Sequence, residues 1–500
     1  MAAQQETSEV TLDQIQNFEG KYPKQLWYLF FSEMWERFAF YGMRGMLTVF
    51  MVKELLLSEG DAQLKYGGIQ AFIYAMTFVG GLFADKLLGF RKSIFWGGLL
   101  MIVGSFTLAL SPKELYYIGI SFTIIGTGFF KPNISSMVGN LYKEADPRKD
   151  AGFGMFYSGI NIGALLGGWL CILVAKNYSW NLAFALAGIG MIIGLSIFLF
   201  TKRTLGPIGL PPMRGLLPEN KIRRNDIMVY AGSLLVIPLI YLMVKKSEYT
   251  DYFMYTVGPL ALLYIIYEIF KLDSKAAKQK MVAAMVFIVF SIFFWAFFEQ
   301  AGGSLSLFAL NNLHDTVLGM KIDPNAVNNS SNSLFVVVLS PLAGLLWVWL
   351  SRKKIEPNTV IKFGIGFLFV SLSFYLYYYT RFFADADGKT SLNLFTLAYL
   401  VSTLGELCLS PIGLSLMTTL APKPLHGMMM GMWFLASAYG QYAAGILGAA
   451  MSQVGENATQ TEKLMAYTDG YKNLAIYALI AGAALVIISP LIRKLMHEVK

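Results

Sequence analysis

The sequence predicts an all-α polytopic membrane protein with fourteen transmembrane helices, and three observations carry that prediction. Of its 500 residues 56% are hydrophobic and only 14% charged, with a mean hydropathy of +0.53. Apolar runs of about 20 residues, enough to cross a bilayer as helix, recur along the whole chain. These runs are too long and too continuously apolar for barrel strands, which leaves helices to satisfy the backbone in lipid.

The runs lie near 26–52, 66–84, 92–110, 114–141, 152–175, 180–201, 226–244, 252–270, 281–310, 331–350, 362–380, 391–419, 427–450 and 473–496. Ahead of the first, Met1 to about Pro23 is polar and has no apolar core, so no removable signal peptide is expected. With Lys92, Lys362, Arg493 and Lys494 at span edges counted with the adjoining connections, alternate connections together with both termini hold 26 of the 40 Lys and Arg, the opposite side holds 11, and the span interiors hold 3. By the positive-inside rule both termini are expected in the cytoplasm, which requires an even number of spans. The formal charge of +9 therefore reflects topology in a lipid bilayer and gives no reason to expect nucleic acid as a partner.

The longest interior break, Thr201 to Asn225, holds Pro207, Pro211, Pro212 and Pro218 and reads as a cytoplasmic linker. The two spans after it are almost free of polar residues and are expected to be peripheral and lipid-facing. The expected division is a cytoplasmic segment 1–25, a six-helix bundle 26–201, the linker 202–225, two extra helices 226–275, and a second six-helix bundle 276–500. The halves echo one another. Gly126 to Pro132, around Lys131, and Gly405 to Gly413, around Glu406, each join an ionisable residue to a Pro/Gly interruption, as in the broken helices of transporters.

Charge inside the spans is the functional signal. At about 100° per residue Glu33, Glu36, Arg37, Phe40 and Arg44 share one side of the first span, and a charge at mid-bilayer costs roughly 2.5–3.5 kcal/mol, so that side is expected to face a wet interior. With Lys131, Glu299 and Glu406, seven ionisable residues are expected to be buried within the spans, four acids and three bases. One proton would neutralise the set, which suits a proton-binding site and a ligand carrying both charges. Asn161 and Asn332 are amides able to meet a peptide bond, and Tyr41, Tyr74, Tyr157, Trp295 and Trp433 are candidate pocket walls. Cys171 and Cys408 lie within apolar runs and offer neither a disulfide framework nor metal spacing. His314, His426 and His497 fall in or beside loops or at the C-terminus. Intramembrane proton chemistry is thus expected to fall to carboxylates, with the proton as coupling ion and no cofactor or metal. Rings of one sign, as in channels, are lacking. So are the Asp/Asp or His-rich groupings of an intramembrane enzyme.

Glu33-Met34-Trp35-Glu36-Arg37-Phe38 with Tyr41-Gly42 resembles the E-x-x-E-R-F-x-Y-Y-G motif of the proton-dependent oligopeptide transporters, a branch of the major facilitator superfamily. Gly81 to Gly89 with Arg91, the Phe-Tyr-x-x-Ile-Asn-x-Gly stretch at 156–163, Trp295 to Gln300, and Gly405 to Leu414 extend the likeness over nearly the whole chain. The resemblance implies a major facilitator fold of two six-helix bundles with two extra helices between them, as in bacterial members. It implies that Glu33, Glu36 and Arg37 form a proton-coupling cluster with Lys131, and that Arg44 partners Glu299, whose protonation frees Arg44 for a peptide carboxylate. Glu406 would anchor the peptide amino terminus. Tyr41, Tyr74, Lys131, Tyr157, Asn161, Trp295, Asn332, Ser410 and Trp433 resemble substrate-binding residues. The stretch from Asp85 to Arg91 resembles the superfamily's cytoplasmic charge contacts. Phe40 departs from the motif where the first of two tyrosines is usual, and Ser333 where proline is frequent.

The resemblance thus implies a symporter, not an enzyme, importing di- and tripeptides with protons through the cell's inner or plasma membrane and working as a monomer. The alternative it leaves open is a proton-coupled carrier of another small anion or peptide-like drug.

Overall fold

The computed structural model describes residues 10–409, 413–455 and 458–499. After a short helix α1 (Leu12–Gln16) come α2 (Lys24–Lys53), α3 (Glu59–Phe83), α4 (Phe90–Leu110), α5 (Tyr116–Asn140), α6 (Lys149–Asn177), α7 (Trp180–Thr201), α8 (Glu219–Lys245) and α9 (Ser247–Lys271). Then follow α10 (Lys275–Phe298), α11 (Ser304–Asn312), α12 (Pro324–Arg352), α13 (Thr359–Tyr379), α14 (Leu392–Leu409), α15 (Gly413–Leu420), α16 (His426–Met451) and α17 (Gln460–Met496). Each of the fourteen apolar runs lies on one of these helices or on a consecutive pair. Among the described residues, eleven helical segments are long and apolar enough to cross a membrane by composition alone; α2, with its buried charges, and α5 and α16 complete the fourteen.

Several helices begin well before their apolar runs because polar caps start them. Asp323 accepts from the Ala326 amide with Pro324 at the first helical position, and Thr459 forms a capping box with Glu462. Both satisfy first-turn N–H groups that would otherwise lack partners. The linker is shorter than expected: residues 202–218 form turns, and α8 already starts at Glu219. The run at 281–310 is interrupted, since a 3₁₀ turn over Glu299–Gly302 separates α10 from α11. Of the two expected Pro/Gly interruptions, only the first lies wholly within the described residues. In the second half, residues 410–412 lie outside the described residues, and in the first half α5 runs through Pro132 unbroken. There Asn133 Nδ2 donates to the Phe129 carbonyl, and the Gly128 carbonyl freed by proline sits against Gly80.

The chain packs as two compact units, Met1–Met43 with Met76–Gly167 and Val174–Tyr241, and Arg44–Ala75 with Gly168–Leu173 and Leu242–Lys500. In the first, small residues let backbones touch. A Cβ at Gly97 would lie 2.5 Å from the Gly126 carbonyl, and one at Gly104 2.7 Å from that of Gly119, so α4 and α5 cannot accept larger residues there. Gly159, Gly163 and Gly167 of α6 press on Phe30, Met34 and Phe38 of α2, while Gly194 of α7 meets Ser32, whose hydroxyl donates to the Gly194 carbonyl at 2.9 Å. Lys92 of α4 pairs with Asp226 of α8, and Trp96 donates to Ser233 at 2.9 Å and stacks on Tyr230. The Asp85-to-Arg91 stretch is a π turn over Ala84–Leu88 ending at Gly89, and Arg91 donates to the Gly206 and Ile208 carbonyls of the linker.

The second unit has an aromatic core in which Phe308 of α11, Tyr377 of α13, Phe395 and Tyr399 of α14 and Tyr471 of α17 contact one another edge-on or stacked. The extra helix α9 is not wholly peripheral. It exposes Leu263 and Phe270 to the lipid side, but Asp251 accepts from Tyr442 at 2.5 Å and the Met254 carbonyl accepts from Tyr439.

Candidate functional site

Packing on two sides decides which face of α2 is left for chemistry. In the first unit α6 covers Phe30, Met34 and Phe38, and α7 covers Ser32, Trp35 and Phe38. At about 100° per residue the remaining arc holds Glu33, Glu36, Arg37 and Phe40. All four are under 4% exposed. Arg37 Nε donates to Glu33 Oε1 at 2.8 Å and lies 2.6 Å from Glu36 Oε2. Glu33 Oε2, both Glu36 oxygens and Arg37 Nη2 are buried without a hydrogen bond. Lys131 of α5 acts on both carboxylates through its charge, so two acids and two bases balance in formal charge. The Arg37 guanidinium lies 5.5 Å from the Phe40 ring centre, and Tyr41 is its electrostatic neighbour. Asn161, 6% exposed, turns its amide N–H back to the Tyr157 carbonyl of its own helix at 2.9 Å. One of its two N–H donors is thereby used locally.

In the second unit Arg44 of α2 forms an ion pair with Glu299 in the 3₁₀ turn after α10 and donates through Nε to Tyr66 Oη of α3 at 2.6 Å. Both partners of the ion pair are nearly buried, at 11% and 8% side-chain exposure. The helix break presents Glu299, and Gln300 holds that turn by donating to the Ala296 and Ala444 carbonyls. Tyr399 feels the charges of Arg44 and Glu299 and donates to Asn328 Oδ1 at 2.6 Å, while Asn328 donates to the Ala301 carbonyl and to Ser306. One turn along α12, Asn332 donates to Glu406 Oε2 at 2.7 Å and to Thr403 Oγ1 at 3.3 Å. Glu406, 9% exposed, is an electrostatic neighbour of Glu299. Arg44, Glu299, Asn332 and Glu406 are thus joined in one polar network inside one unit.

The remaining candidates are placed as follows. Trp295 packs its ring edge-on against Phe294 and Phe298 and buries an indole N–H without a hydrogen bond. The Trp433 indole lies against Gly413. Tyr74 packs with Phe253 and Tyr439 around Ala71, Met254, Ala438 and Tyr442. Ser410 lies outside the described residues. Sequence reasoning missed Tyr66, Asn328, Tyr399 and Thr403. Helical spacing was the available signal: Asn328 is four residues before Asn332, and Tyr399 and Thr403 precede Glu406 by seven and three.

The model of the POT family matches residues 91–465. The peptide transporter YePEPT of Yersinia enterocolitica is 34% identical to this chain, covering 95% of it and 96% of the relative. The dipeptide and tripeptide permease B of Aeromonas hydrophila is 31% identical, covering 95% of this chain and 94% of its own. A crystal structure of a POT family transporter in complex with a thioalcohol conjugated peptide is similar with a TM-score of 0.82 at 28% identity, covering 96% of this chain and 100% of that one.

Proposed function

The chain belongs to the POT family of multi-pass membrane transporters, and from that premise we propose that it is a symporter importing di- and tripeptides with protons by alternating access. The observation that carries this reading is the Arg44–Glu299 ion pair in one network with Asn332 and Glu406. A free peptide presents a carboxylate and an ammonium. Arg44 offers the first a two-pronged donor, and Glu406 offers the second an acceptor whose orientation Asn332 fixes. While Glu299 is ionised it occupies Arg44. A proton on Glu299 removes the opposing charge and releases the guanidinium to the ligand, so proton and peptide binding are linked. Each net charge carried down a 100 mV potential supplies about 2.3 kcal/mol.

Glu33, Glu36, Arg37 and Lys131 are assigned a supporting role in proton coupling. A carboxylate only accepts hydrogen bonds, but a protonated one also donates, so a proton on either acid adds a donor that an oxygen of the other can accept. The POT membership and the names of the relatives support the peptide ligand. The basic bias of alternate loops supports a cytoplasmic-membrane location with both termini inside, and the six-plus-two-plus-six division and a monomeric carrier complete the proposal. The test is uptake of one labelled dipeptide into liposomes holding the purified protein, under an inward proton gradient. Competition by unlabelled di- and tripeptides but not by nitrate or free amino acids is the expected result. Uptake indifferent to peptides overturns the reading.

A further inference from the structure

One face of α3 carries Glu59, Gln63 and Tyr66, at i, i+4 and i+7, and each reaches a different neighbour. Tyr66 accepts from Arg44 in the site already described. Gln63 donates to Ser452, the residue that ends α16. Glu59, in the first turn of α3, gathers three partners: Lys463 of α17 donates to Oε1 at 2.7 Å, Asn311 of α11 to the same oxygen at 3.0 Å, and Tyr467 of α17 to Oε2 at 2.5 Å. Tyr467 is also 3.0 Å from Ser452 Oγ, which closes a ring from Glu59 through Tyr467 and Ser452 to Gln63. Two i, i+4 pairs on different helices, Glu59 with Gln63 and Lys463 with Tyr467, are therefore in register. The ion pair is largely shielded, with side-chain exposures of 12% for Glu59 and 22% for Lys463.

We propose that this ring is a second latch on the outer side of the transport path and that Glu59 is its positioning residue. The inference rests on the alternating-access reading above. The chain order places the beginning of α3 and the beginning of α17 on the side opposite the termini. There the latch joins a helix of the N-terminal half to three of the C-terminal half. Any opening to the outside must part them. Glu59 lies two turns, about 10.5 Å by helical rise, from Tyr66, so the latch is spatially separate from the Arg44–Glu299 pair. A charge-assisted knot of three donors on one carboxylate is strong when shielded and is lost as a unit when the helices separate. The inner pair then answers to proton and ligand, and the outer ring sets how readily the closed side opens without either.

The test needs no substrate. In a chain with Cys171→Ala and Cys408→Ala, the buried Ala62, one turn from Glu59, is replaced as Ala62→Cys, and the protein is reconstituted and labelled from outside with a membrane-impermeant maleimide. Glu59→Gln and, separately, Lys463→Gln are each expected to speed labelling several-fold, and the exchanged pair Glu59→Lys with Lys463→Glu to bring it back toward the parent rate. If both single variants label at the parent rate, or if the exchange does not slow labelling, the latch is refuted. A merely structural role would lower the melting temperature with no change in outside labelling. Should the protein prove not to carry peptides in the uptake assay, the labelling rates still decide the latch on their own.

Discussion

Asn332 and Glu406 face each other across a 2.7 Å hydrogen bond in which the amide donates to the carboxylate. Thr403, the second acceptor for the same amide, pins Asn332 from the Glu406 helix itself. Glu406 is therefore held in one orientation before any ligand arrives. A charge-assisted hydrogen bond to a ligand ammonium contributes about 1.5–3 kcal/mol, roughly ten- to hundredfold in affinity. Glu406→Gln should raise the KM for free dipeptides by about that factor. N-acetylated dipeptides, which carry no ammonium, should lose little. Equal losses for both ligands in competition assays would remove Glu406 from this role.

The Arg44–Glu299 ion pair yields a second prediction. Glu299→Gln keeps the shape and removes both the charge and the titration. Proton-driven accumulation of a labelled peptide should vanish, while counterflow of labelled against unlabelled peptide, which needs no net proton movement, should persist. Proton-driven accumulation at the parent level would refute the role of Glu299.

The architecture was legible because burying helices in lipid is written in apolar runs of fixed length, and all fourteen runs lie on helices. The buried charges of α2 were legible for the converse reason: a charge in an apolar run needs a cause. Helix ends were not, since Asp323 and Thr459 start α12 and α17 in polar sequence that hydropathy passes over. Pro132 misled because membrane helices tolerate proline without breaking, and α5 continues through it. The partners Tyr66, Asn328 and Tyr399 stayed hidden because Tyr and Asn are ordinary in such a chain. Helical spacing from Asn332 and Glu406 could have pointed to Asn328 and Tyr399, but Tyr66 is distinguished by its pairing with Arg44 alone.

Glycine packing gives a third prediction, with its control on the same helix. A Cβ at Gly163 would strike the Met34 carbonyl and crowd Arg37 Cβ at 3.0 Å, whereas one at Gly154 meets nothing within 4 Å. Gly163→Val forces α6 away from α2 and should cost at least about 1–3 kcal/mol, the usual range for overpacking. Gly154→Ala should be neutral or stabilising by up to about 1 kcal/mol, since alanine is the better helix former. Thermal unfolding in detergent reads both, and equal melting temperatures would show that the α2–α6 approach is not tight.

Outside the membrane, Arg148 clamps the N-terminal segment. It donates to the Phe18 and Gly20 carbonyls at 3.1 Å, lies over the Phe18 ring at 3.8 Å, and hydrogen-bonds Asp146. That hydrogen bond holds the Asp146 carboxyl below its ordinary value. A depressed carboxylate stabilises above its unfolded pKa and loses the effect as pH falls through the folded one. The clamp should therefore be insensitive to pH from neutrality down to about pH 5, above the ordinary carboxylate range, and weaken only in stronger acid. Arg148→Ala should release it at every pH, read as faster tryptic cleavage after Lys21 in the folded protein.

The cluster at Glu33, Glu36 and Arg37 supports the last prediction. Arg37 is the cation in contact with both buried carboxylates, so its removal leaves two acids to the single counter-charge of Lys131, and breaking a buried pair costs about 3–5 kcal/mol. Glu36 makes its ion pair without a hydrogen bond at either oxygen, so Glu36→Gln gives up charge and little else. Arg37→Met should lower the melting temperature steeply, Glu36→Gln only slightly. The double variant Arg37→Met with Glu36→Gln should recover part of the loss, because Glu33 and Lys131 then balance in formal charge. If the double variant is less stable than Arg37→Met alone, the cost of losing Arg37 does not come from carboxylates left without a counter-charge.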